Sequence, residues 1–508
     1  GSTPVCNNRH KNFVVQLMRQ VIWLKEESGK MTKKMNREMA VVTYLFMILF
    51  LIMAGYIVYF VVHDSDKVLN NPQNKRQELL AKRVTKGSIL ASGGQRLAYT
   101  KTSKNGEETR VYPYGELFAH VIGHTTHGAT GLESTEGYTM LTSSINPLKG
   151  MLNELQGKKN PGDNVVTTLN LKLTRAAQEE LGSKKGAVVA MDPETGKILV
   201  MLSQPSYDPN NLTDARWKKL TQSSSDDSVL YNRATQGLYP PGSTFKLYTA
   251  LEFMRENSDY EKYSYRCQGS IGSGDTKIKC YEGEVHGRVD LSMAFAESCN
   301  AAFCNIGSGL NVSKWKKLCE SLYYNKSMPI EKIEQKSSRF TVDSSTGAGD
   351  IMQVSIGQGN TLVTPLQNSF LVAAALNDGK LMKPYLVDRV EDTKGNIVSE
   401  NAPKQAAEPI TKKEAKALKK LMRKTVTSGT ATALSGRGYE AGGKTGSAEF
   451  HNGSTDSHAW FVGYGEKNGK KLVVSVVVEA VGTGSAYAVP AYRAPATLVP
   501  MRRAMAVF

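Results

Sequence analysis

The sequence predicts an α+β fold in which helices pack on one antiparallel sheet, preceded by a small β-rich domain and a single membrane-spanning helix. Two pairs of β-branched-rich runs, each pair joined by a short turn, stand near the two ends of residues 166–490. The interval between the pairs shows mainly helical patterning, and strands at both ends with helices between them indicate a sheet covered by helices. A long uncharged run near the N-terminus supplies the membrane helix.

The membrane helix is predicted at residues 39–62. This run of 24 residues, from Met39 to Val62, contains no charge, and a bilayer-spanning helix needs about 20 residues. Residues 1–38 carry eight Lys or Arg against three Glu, so the positive-inside bias predicts a cytoplasmic N-terminus and an extracytoplasmic chain after His63. The length of the run and the lack of an A-x-A site favour a single-pass anchor over a cleaved signal peptide.

The segment before Met31 is predicted to be a leader outside the natural protein. It contains Lys25-Glu26-Glu27, which the codons AAG GAG GAR can encode. Such a nucleotide sequence resembles a ribosome-binding site, and it would lie a short distance upstream of the start codon for Met31. Our hypothesis from this pattern is that Met31 is the native start. Peptides from upstream of Met31 in mass spectra of the natural protein would contradict this interpretation.

The rest of the chain divides by composition. Residues 63–84 are polar and charged, as in a stalk, and residues 85–165 contain short strand-like pieces broken by Gly and Asn, which predict a β-rich pedestal. Residues 166–490 form the large α+β domain. Residues 491–508 are an uncertain tail, because Pro495 and Pro500 interrupt helix, and we expect poor order beyond about residue 490.

Periodicity and turn residues define the elements of the large domain. LNLKLTRAAQEEL reads as an amphipathic helix with Leu171, Ala177 and Leu181 among its apolar positions. GAVVAMD and KILVMLS flank PETG and predict a β-hairpin. HAWFVGYG and KLVVSVVVEA flank EKNGK, whose Asn-Gly is a strong signal for a second hairpin.

Composition and charge limit the functional classes. At 508 residues the chain exceeds one domain of ~150 residues, and 40% hydrophobic with 22% charged residues is typical of a globular protein. A net charge of +17 attracts polyanions such as nucleic acid, anionic lipid or an acidic cell-wall polymer. The chain has no C2H2 spacing, RNP-like stretch or Arg-rich arm, so we expect no nucleic-acid partner.

Cys267 and Cys280 bracket the Gly-rich stretch CQGSIGSGDTKIKC, which faces an oxidising compartment if the predicted topology holds. A disulfide that closes a hairpin and a pair of free thiols are both compatible with this pattern. Zinc is not expected, because His286 is the only further ligand nearby in sequence and no second Cys pair has metal spacing. No cofactor motif is present, so we expect neither cofactor nor metal.

The stretch LYPPGSTFKLYTA places Lys246 three residues after Ser243. A serine hydroxyl needs a base in hydrogen-bond reach, and on a helix an i, i+3 spacing puts the two side chains on one face. Lys246 can act as that base if burial lowers its pKa. The alternative is a serine N-cap followed by an exposed lysine, because S-x-x-K also occurs at Ser313 to Lys316.

Two further motifs support the first interpretation. Ser298-Cys299-Asn300, within a stretch of small residues predicted to be helical, offers a second hydroxyl and a carboxamide. Lys444-Thr445-Gly446-Ser447 contains the only K-T-G of the chain, on a predicted strand. A cation, two hydroxyls and a glycine that permits close approach suit a carboxylate-bearing substrate lying along the strand edge.

In this order the three motifs resemble those of the penicillin-binding proteins, and most closely the monofunctional (class B) transpeptidases of cell-wall synthesis. The resemblance runs from about residue 85 to residue 490 and includes PPGSTFK, AESCNAAF, KTGSAE and SIGQGNTLVTPLQ (Ser355 to Gln367). It implies a penicillin-binding transpeptidase fold and a peptidoglycan D,D-transpeptidase that β-lactams inhibit by trapping Ser243.

The resemblance also implies roles for the site residues. Ser243 would attack the carbonyl between the two terminal D-alanines of a stem peptide, and Lys246 would take its proton. Ser298 would relay protons to the leaving group, and Asn300 would orient the substrate backbone. Lys444, Thr445 and Ser447 would bind the terminal carboxylate of the substrate, and Gly446 would permit its close approach to the strand. An amine of a neighbouring stem peptide would then resolve the acyl-enzyme into a cross-link.

Other interpretations are weighed against this one. A D,D-carboxypeptidase or a β-lactam-hydrolysing relative would share the nucleophile, but class D β-lactamases have an aliphatic residue at the position of Asn300. A sensor-transducer would have several spans, and a bifunctional polymerase would need about 200 more residues before the transpeptidase. An inactive scaffold would not need the complete motif set.

By analogy with class B relatives, we expect a polytopic membrane glycan polymerase of the shape, elongation, division and sporulation family as partner.

Overall fold

The computed structural model describes residues 8–64, 68, 75–222, 229–449 and 457–498. Contacts divide the chain into two compact units, one ending at Leu69 and the other beginning at Asn70. The α-helices are α1 (Asn8–His63), α2 (Lys75–Arg83), α3 (Ala119–Ile122), α4 (Gly131–Thr135), α5 (Gly137–Met140), α6 (Pro147–Leu155), α7 (Leu171–Leu181), α8 (Asp214–Thr221), α9 (Lys246–Glu256), α10 (Leu291–Ala296), α11 (Asn300–Ser308), α12 (Val312–Ser321), α13 (Ala348–Ser355), α14 (Pro365–Asn368), α15 (Phe370–Leu376), α16 (Lys412–Ser428) and α17 (Gly484–Leu498).

The strands are β1 (Val84–Thr85), β2 (Ile89–Leu90), β3 (Arg96–Thr102), β4 (Glu108–Val111), β5 (Asn160–Pro161), β6 (Asn164–Thr167), β7 (Gly186–Met191), β8 (Ile198–Gln204), β9 (Tyr265–Cys267), β10 (Ser270–Ile271), β11 (Ile278–Lys279), β12 (Gly287–Val289), β13 (Leu381–Met382), β14 (Val387–Glu391), β15 (Ile397–Glu400), β16 (Gln405–Ala407), β17 (Glu440–Glu449), β18 (Ser457–Lys467) and β19 (Lys470–Val478). Two of the sheets they form matter here, a five-stranded one in the large domain and a six-stranded one in the pedestal.

The first unit contains the long helix α1. Within it, the segment Arg37–Val61 has a mean hydropathy of 2.5, and its most apolar residues are not buried against other parts of the described structure. Among the described helices this is the one long and apolar enough to cross a membrane. The predicted span of residues 39–62 is thus helical, and the helix also continues through the charged residues before it.

The large domain is built on the five-stranded sheet with the order β17-β18-β19-β7-β8, and every neighbouring pair is antiparallel. Both predicted hairpins are confirmed: β7 pairs with β8, and β18 pairs with β19. The second hairpin turns at Asn468 and Gly469, which have φ values of 52° and 72°. A type I′ turn requires positive φ at both central residues, so these values confirm the turn that Asn-Gly predicts.

Helices cover this sheet, as an α+β fold requires. The predicted helix α7 begins after Asn170, whose side chain accepts a hydrogen bond from the Leu173 N–H, and it packs against β8. Helix α16 packs against β17, and α17 packs against β18 and β19. The β18 residues from His458 to Gly465 are all buried, because helices exclude water from this part of the sheet.

The expectation that Pro495 interrupts the C-terminal helix is wrong, since α17 runs without a break to Leu498. A proline removes one backbone hydrogen bond, but burial of an apolar helix face can outweigh that loss. Val489 and Tyr492 of α17 are buried, and α17 contacts α7 as well as the sheet. Order therefore extends past residue 490, whereas Pro500 lies outside the described residues.

The pedestal contains the six-stranded sheet with the order β15-β14-β6-β2-β3-β4. A small β-rich domain was predicted here, but two of its strands, β14 and β15, come from residues 387–400, inside the predicted large domain. Val390 of β14 pairs with Val165 of β6, and both are buried. The pedestal sheet is therefore discontinuous in sequence, and a contiguous 85–165 segment does not contain all of it.

Candidate active site

Ser243 lies on a tight turn that leads into α9. Residues Gly242–Phe245 form a 3₁₀ helix, and the α-helix begins at Lys246. Side chains three residues apart are eclipsed in a 3₁₀ turn, so Ser243 and Lys246 lie on the same side of it. Ser243 is half-buried and Lys246 is fully buried. The alternative of an exposed lysine after a serine N-cap is therefore wrong.

The turn is held by the backbone of the SIGQG stretch. The Gly242 N–H donates to the Gly357 carbonyl oxygen at 2.9 Å. Gly357 has a φ of 76°, and a Cβ there would lie 2.0 Å from the Gly242 carbonyl oxygen. Close approach of the two chains thus requires glycine at position 357, and the stretch Ser355 to Gln367 contacts the serine turn.

The S-C-N motif lies in a break between helices. The sequence predicted one helical stretch, but α10 ends at Ala296 and α11 begins at Asn300. Ser298 has a φ of 59°, a left-handed conformation that is uncommon for a non-glycine residue and costs of order 1–3 kcal/mol. The Cys299 Sγ accepts a hydrogen bond from the Ala302 N–H and caps α11. The break aims Ser298 and Asn300 into one cavity.

The Ser298 hydroxyl is shared by two buried lysines. Lys246 Nζ donates to the Ser298 carbonyl oxygen at 2.6 Å, to Ser298 Oγ at 3.2 Å and to Asn300 Oδ1 at 2.7 Å. Lys444 Nζ donates to the same Ser298 Oγ at 2.9 Å and to the Thr445 carbonyl oxygen at 3.0 Å. The three sequence motifs thus meet at one hydroxyl.

Burial changes the basicity of both lysines. It lowers the pKa of Lys246 to about 8, although three neighbouring thiols act in the opposite direction. Burial and the positive charge of Lys246 lower the pKa of Lys444 well below its ordinary range, against the effect of the Glu297 carboxylate. A lysine with a pKa near 8 has a fraction of neutral amine at physiological pH that can accept a proton from a hydroxyl.

The K-T-G-S segment lies on β17, the edge strand of the five-stranded sheet. A Cβ at Gly446 would meet Thr244 Cγ2 at 3.1 Å, so the serine turn packs closely on this strand. Thr445 Oγ1 and Thr430 Oγ1 share a hydrogen bond of 2.5 Å. Ser447 Oγ accepts a hydrogen bond from the Gly484 N–H at 3.3 Å.

A cavity of about 960 Å³ opens at the junction of these elements. Six of the predicted site residues line it: Ser243, Ser298, Asn300, Thr445, Gly446 and Ser447. Lys246 and Lys444 are buried and contact the cavity residue Ser298. Sequence reasoning missed Thr430, which also lines the cavity and holds Thr445. Thr430 follows α16 in a segment without a motif, so only the fold could reveal it.

The fold and these motifs define a class of serine acyl transferases, and two family matches narrow it. Residues 186–496 match the penicillin-binding protein transpeptidase domain, and residues 86–165 match the dimerisation domain of penicillin-binding protein A. The chain belongs to the penicillin-binding transpeptidases, and more narrowly to the class B group that the sequence resemblance indicated.

Named relatives agree with this family. The chain is 32% identical over 491 residues to the peptidoglycan D,D-transpeptidase PbpA of Mycolicibacterium smegmatis, a match that covers 91% of this chain and 98% of that protein. It is 30% identical over 463 residues to PbpA of Mycobacterium tuberculosis, covering 85% and 92%. The solved structure of penicillin-binding protein A from M. tuberculosis as a ceftriaxone acyl-enzyme is 29% identical, with a TM-score of 0.75, and covers 83% of this chain and 99% of that one.

Proposed function

We propose that this protein is a membrane-anchored peptidoglycan D,D-transpeptidase that works through an acyl-enzyme on Ser243. The observation that carries the proposal is the shared Ser298 hydroxyl, which Lys246 and Lys444 both contact beside the Ser243 turn. Such a network offers a base for the nucleophile and a route for its proton in one buried place. The relatives named D,D-transpeptidase support the same assignment.

Acylation begins with the neutral amine of Lys246. It accepts the proton of Ser243 while Ser243 Oγ attacks the carbonyl carbon between the two terminal D-alanines of the donor stem peptide. We assign the oxyanion hole to the backbone N–H groups of Ser243 and Ser447; such a donor contributes about 3 kcal/mol in a serine protease. Asn300 orients the substrate backbone, and Lys444, Thr445 and Ser447 bind the terminal carboxylate, with Gly446 permitting its close approach.

The tetrahedral intermediate then collapses. The C–N bond breaks, Ser298 passes a proton to the departing amine, and free D-alanine leaves. An amine of a second stem peptide attacks the ester carbonyl, its proton returns through the same groups, and the Ser243 hydroxyl is restored. A cross-link between the two stem peptides is the product. A β-lactam acylates Ser243 in the same way, and its ring-opened leaving group stays attached.

A fluorescent penicillin tests the nucleophile. We expect the purified full-length protein to be labelled and the Ser243→Ala variant to lose labelling. Ser313→Ala is a matched control, because Ser313 and Lys316 form a second S-x-x-K on α12 and that variant should be labelled as the wild type is. Labelling that survives Ser243→Ala, or an unlabelled wild type, would overturn the proposal and would favour an inactive scaffold.

The acceptor distinguishes transpeptidation from hydrolysis. With a D-Ala-D-Ala donor peptide and an amine acceptor, mass spectrometry should detect a cross-linked product together with released D-alanine. Released D-alanine without any cross-link would identify a D,D-carboxypeptidase. Rapid turnover of the penicillin label would identify a β-lactam-hydrolysing enzyme.

We also propose that the apolar segment of α1 anchors the protein in the cell membrane, with residues 1–38 in the cytoplasm and the chain after His63 outside. The excess of basic residues before Met39 supports this orientation. Protease added to intact cells should then cleave the catalytic part and leave epitopes before Met39 protected. Co-purification of a polytopic glycan polymerase with the membrane-extracted protein would test the predicted partner.

A further inference from the structure

Three cysteines and a histidine meet beside the active-site cavity. Their ligand atoms all lie within 4.8 Å of one another, and they are Cys267, Cys280, His286 and Cys299. The cysteines are buried, and the His286 side chain is only 5% exposed. Acyl transfer on Ser243 uses none of these four side chains, so the cluster needs its own explanation.

Each of the four residues stands at the end of a secondary-structure element. Cys267 ends β9 and His286 directly precedes β12, and these two strands pair with each other. Cys280 directly follows β11, and its N–H donates to the Gly269 carbonyl oxygen at 2.9 Å. Cys299 caps α11. The backbone therefore fixes all four positions, and the cluster is pre-organised.

Three of the six separations between the ligand atoms match the edges of a tetrahedral metal site, and the other three are at most 4.8 Å. Cys267 Sγ lies 3.6 Å from Cys280 Sγ, and Cys280 Sγ lies 3.8 Å from Cys299 Sγ. Cys267 Sγ lies 3.5 Å from His286 Nδ1. A tetrahedral zinc ion with Zn–S of about 2.3 Å and Zn–N of about 2.0 Å has S–S edges of about 3.8 Å and S–N edges of about 3.5 Å.

We propose that Cys267, Cys280, His286 and Cys299 bind one zinc ion as a Cys₃His site. Thiolate with imidazole is a ligand set typical of zinc, and four protein ligands make a closed, structural site. Binding converts three thiols to thiolates and releases three protons, so the site carries a net charge of −1. Cys280 and His286 also line the active-site cavity, through which the ion can enter.

A carboxylate stands behind the histidine. Glu284 Oε2 lies 3.6 Å from His286 Nε2, while the other ring nitrogen, Nδ1, lies 3.5 Å from Cys267 Sγ. Histidines that bind zinc commonly present their second nitrogen to a carboxylate, which fixes the ring orientation and the tautomer. At 3.6 Å the two atoms form no hydrogen bond, so Glu284 lies close to His286 Nε2 without fixing the ring by itself.

The alternative occupant of the cluster is a disulfide between Cys267 and Cys280, which the sequence left open. In the structure these two cysteines are free, with their sulfur atoms 3.6 Å apart. A disulfide would use only two of the three sulfur atoms and would explain neither Cys299 nor the ring orientation of His286. Zinc was not expected from the sequence, because His286 was the only further ligand considered there and Cys299 was assigned to the S-C-N motif.

The zinc site would hold the break between α10 and α11, where Ser298 lies. Cys299 stands between Ser298 and Asn300, and Asn300 Nδ2 donates to the Lys279 carbonyl oxygen at 3.0 Å, one residue before Cys280. The ion therefore ties the β9–β12 segment to the left-handed Ser298 and to α11. This positioning role rests on the proposed function, whereas the metal site itself stands on the four ligands alone.

Metal analysis of the full-length protein, purified in detergent without a histidine tag, tests the site. We expect about one zinc per chain by mass spectrometry of the metal, and at least a fivefold loss of zinc in Cys280→Ser and in His286→Ala. Cys319→Ser is the matched control, because Cys319 is a buried cysteine of α12 outside the cluster. That variant should keep its zinc.

A second measurement avoids variants that fail to fold. Replacing the metal of the wild-type protein by Co²⁺ should give the visible and near-ultraviolet absorption of a tetrahedral cobalt thiolate, and added zinc should abolish it. Chelation should also lower the unfolding midpoint of the wild type and leave that of Cys280→Ser unchanged.

Two results would overturn the proposal. One is an equal zinc content in the wild type and Cys280→Ser. The other is a zinc-free wild type whose mass is lower by two hydrogen atoms because Cys267 and Cys280 form a disulfide. Ser243→Ala should lose penicillin labelling but keep its zinc, so failure of the metal site and failure of the proposed function are distinguishable.

Discussion

At the scale of single residues, the position of Lys246 supports the proposed activation of Ser243 by a lysine. Burial lowers the pKa of this lysine, and the amine lies within 3.2 Å of the Ser298 hydroxyl, which Lys444 also contacts. The low pKa is thus a consequence of where α9 begins, since the first residue of that helix is fully buried.

This arrangement predicts a pH dependence for acylation. In the proposed mechanism only the neutral amine of Lys246 accepts the Ser243 proton, and with a pKa of about 8 roughly one tenth of it is neutral at pH 7. The rate constant for acylation by a penicillin should therefore rise with pH and reach half of its maximum near pH 8. Stopped-flow measurements between about pH 6 and 10 check this, with Lys246→Ala expected to lose 10²-fold or more. A rate that is flat across this range would contradict the role of Lys246.

At the scale of elements, the close contact of Gly357 with the serine turn makes a second prediction. Gly357→Ala would place a methyl group 2.0 Å from the Gly242 carbonyl oxygen and displace the turn, so penicillin acylation should slow about tenfold or more. Gly359→Ala is the matched control, because Gly359 also has a positive φ, of 73°, but its nearest neighbour lies 3.6 Å from the added atom. Equal acylation rates in the two variants would contradict a role for this contact.

A buried ion-pair cluster around the Glu133 carboxylate connects elements of the pedestal. This carboxylate is fully buried, and its oxygens lie 2.6 Å from Arg110 Nε and 2.7 Å from Lys86 Nζ. Removing one partner of a buried ion pair costs about 3–5 kcal/mol, so Glu133→Gln should lower the stability of the chain by that order in urea unfolding. Glu154→Gln removes the exposed pair with Arg83 and should change stability by less than about 1 kcal/mol.

Elements with local signals were predictable from the sequence, and those set by distant contacts were not. The two hairpins and α7 follow from alternation, turn residues and a 3.6-residue period, and the structure has all three. The break at Ser298 was missed, because small residues favour a continuous helix and only the tertiary contacts of Ser298 with two lysines oppose it. The persistence of α17 through Pro495 was missed because its buried face packs on a sheet formed by strands far away in sequence.

At the scale of the whole molecule, the pedestal and the catalytic part form one unit. The Tyr112 N–H donates to Asn210 Oδ1, and Asn210 Nδ2 donates to the Tyr112 carbonyl oxygen, both at 2.9 Å. The chain also returns to the pedestal sheet with β14 and β15, which follow α7 to α15 in the sequence. Folding of the pedestal therefore depends on residues about 220 positions further along the chain than β6.

Because the pedestal and the catalytic part share a sheet, we predict that the catalytic part produced without the pedestal strands will be less stable. A fragment that starts at Thr168 lacks β2, β3 and β6, and it would expose Val390, which pairs with Val165 in the intact sheet. Each apolar side chain uncovered in this way costs about 1.5–3 kcal/mol, so the unfolding midpoint should fall by roughly 5 °C or more. A fragment that starts at Asn70 keeps the whole unit and should bind fluorescent penicillin with the stability of the full chain. Equal unfolding midpoints in the two fragments would show that the pedestal is an independent domain, and the discontinuous sheet would then contribute nothing to the stability of the catalytic part.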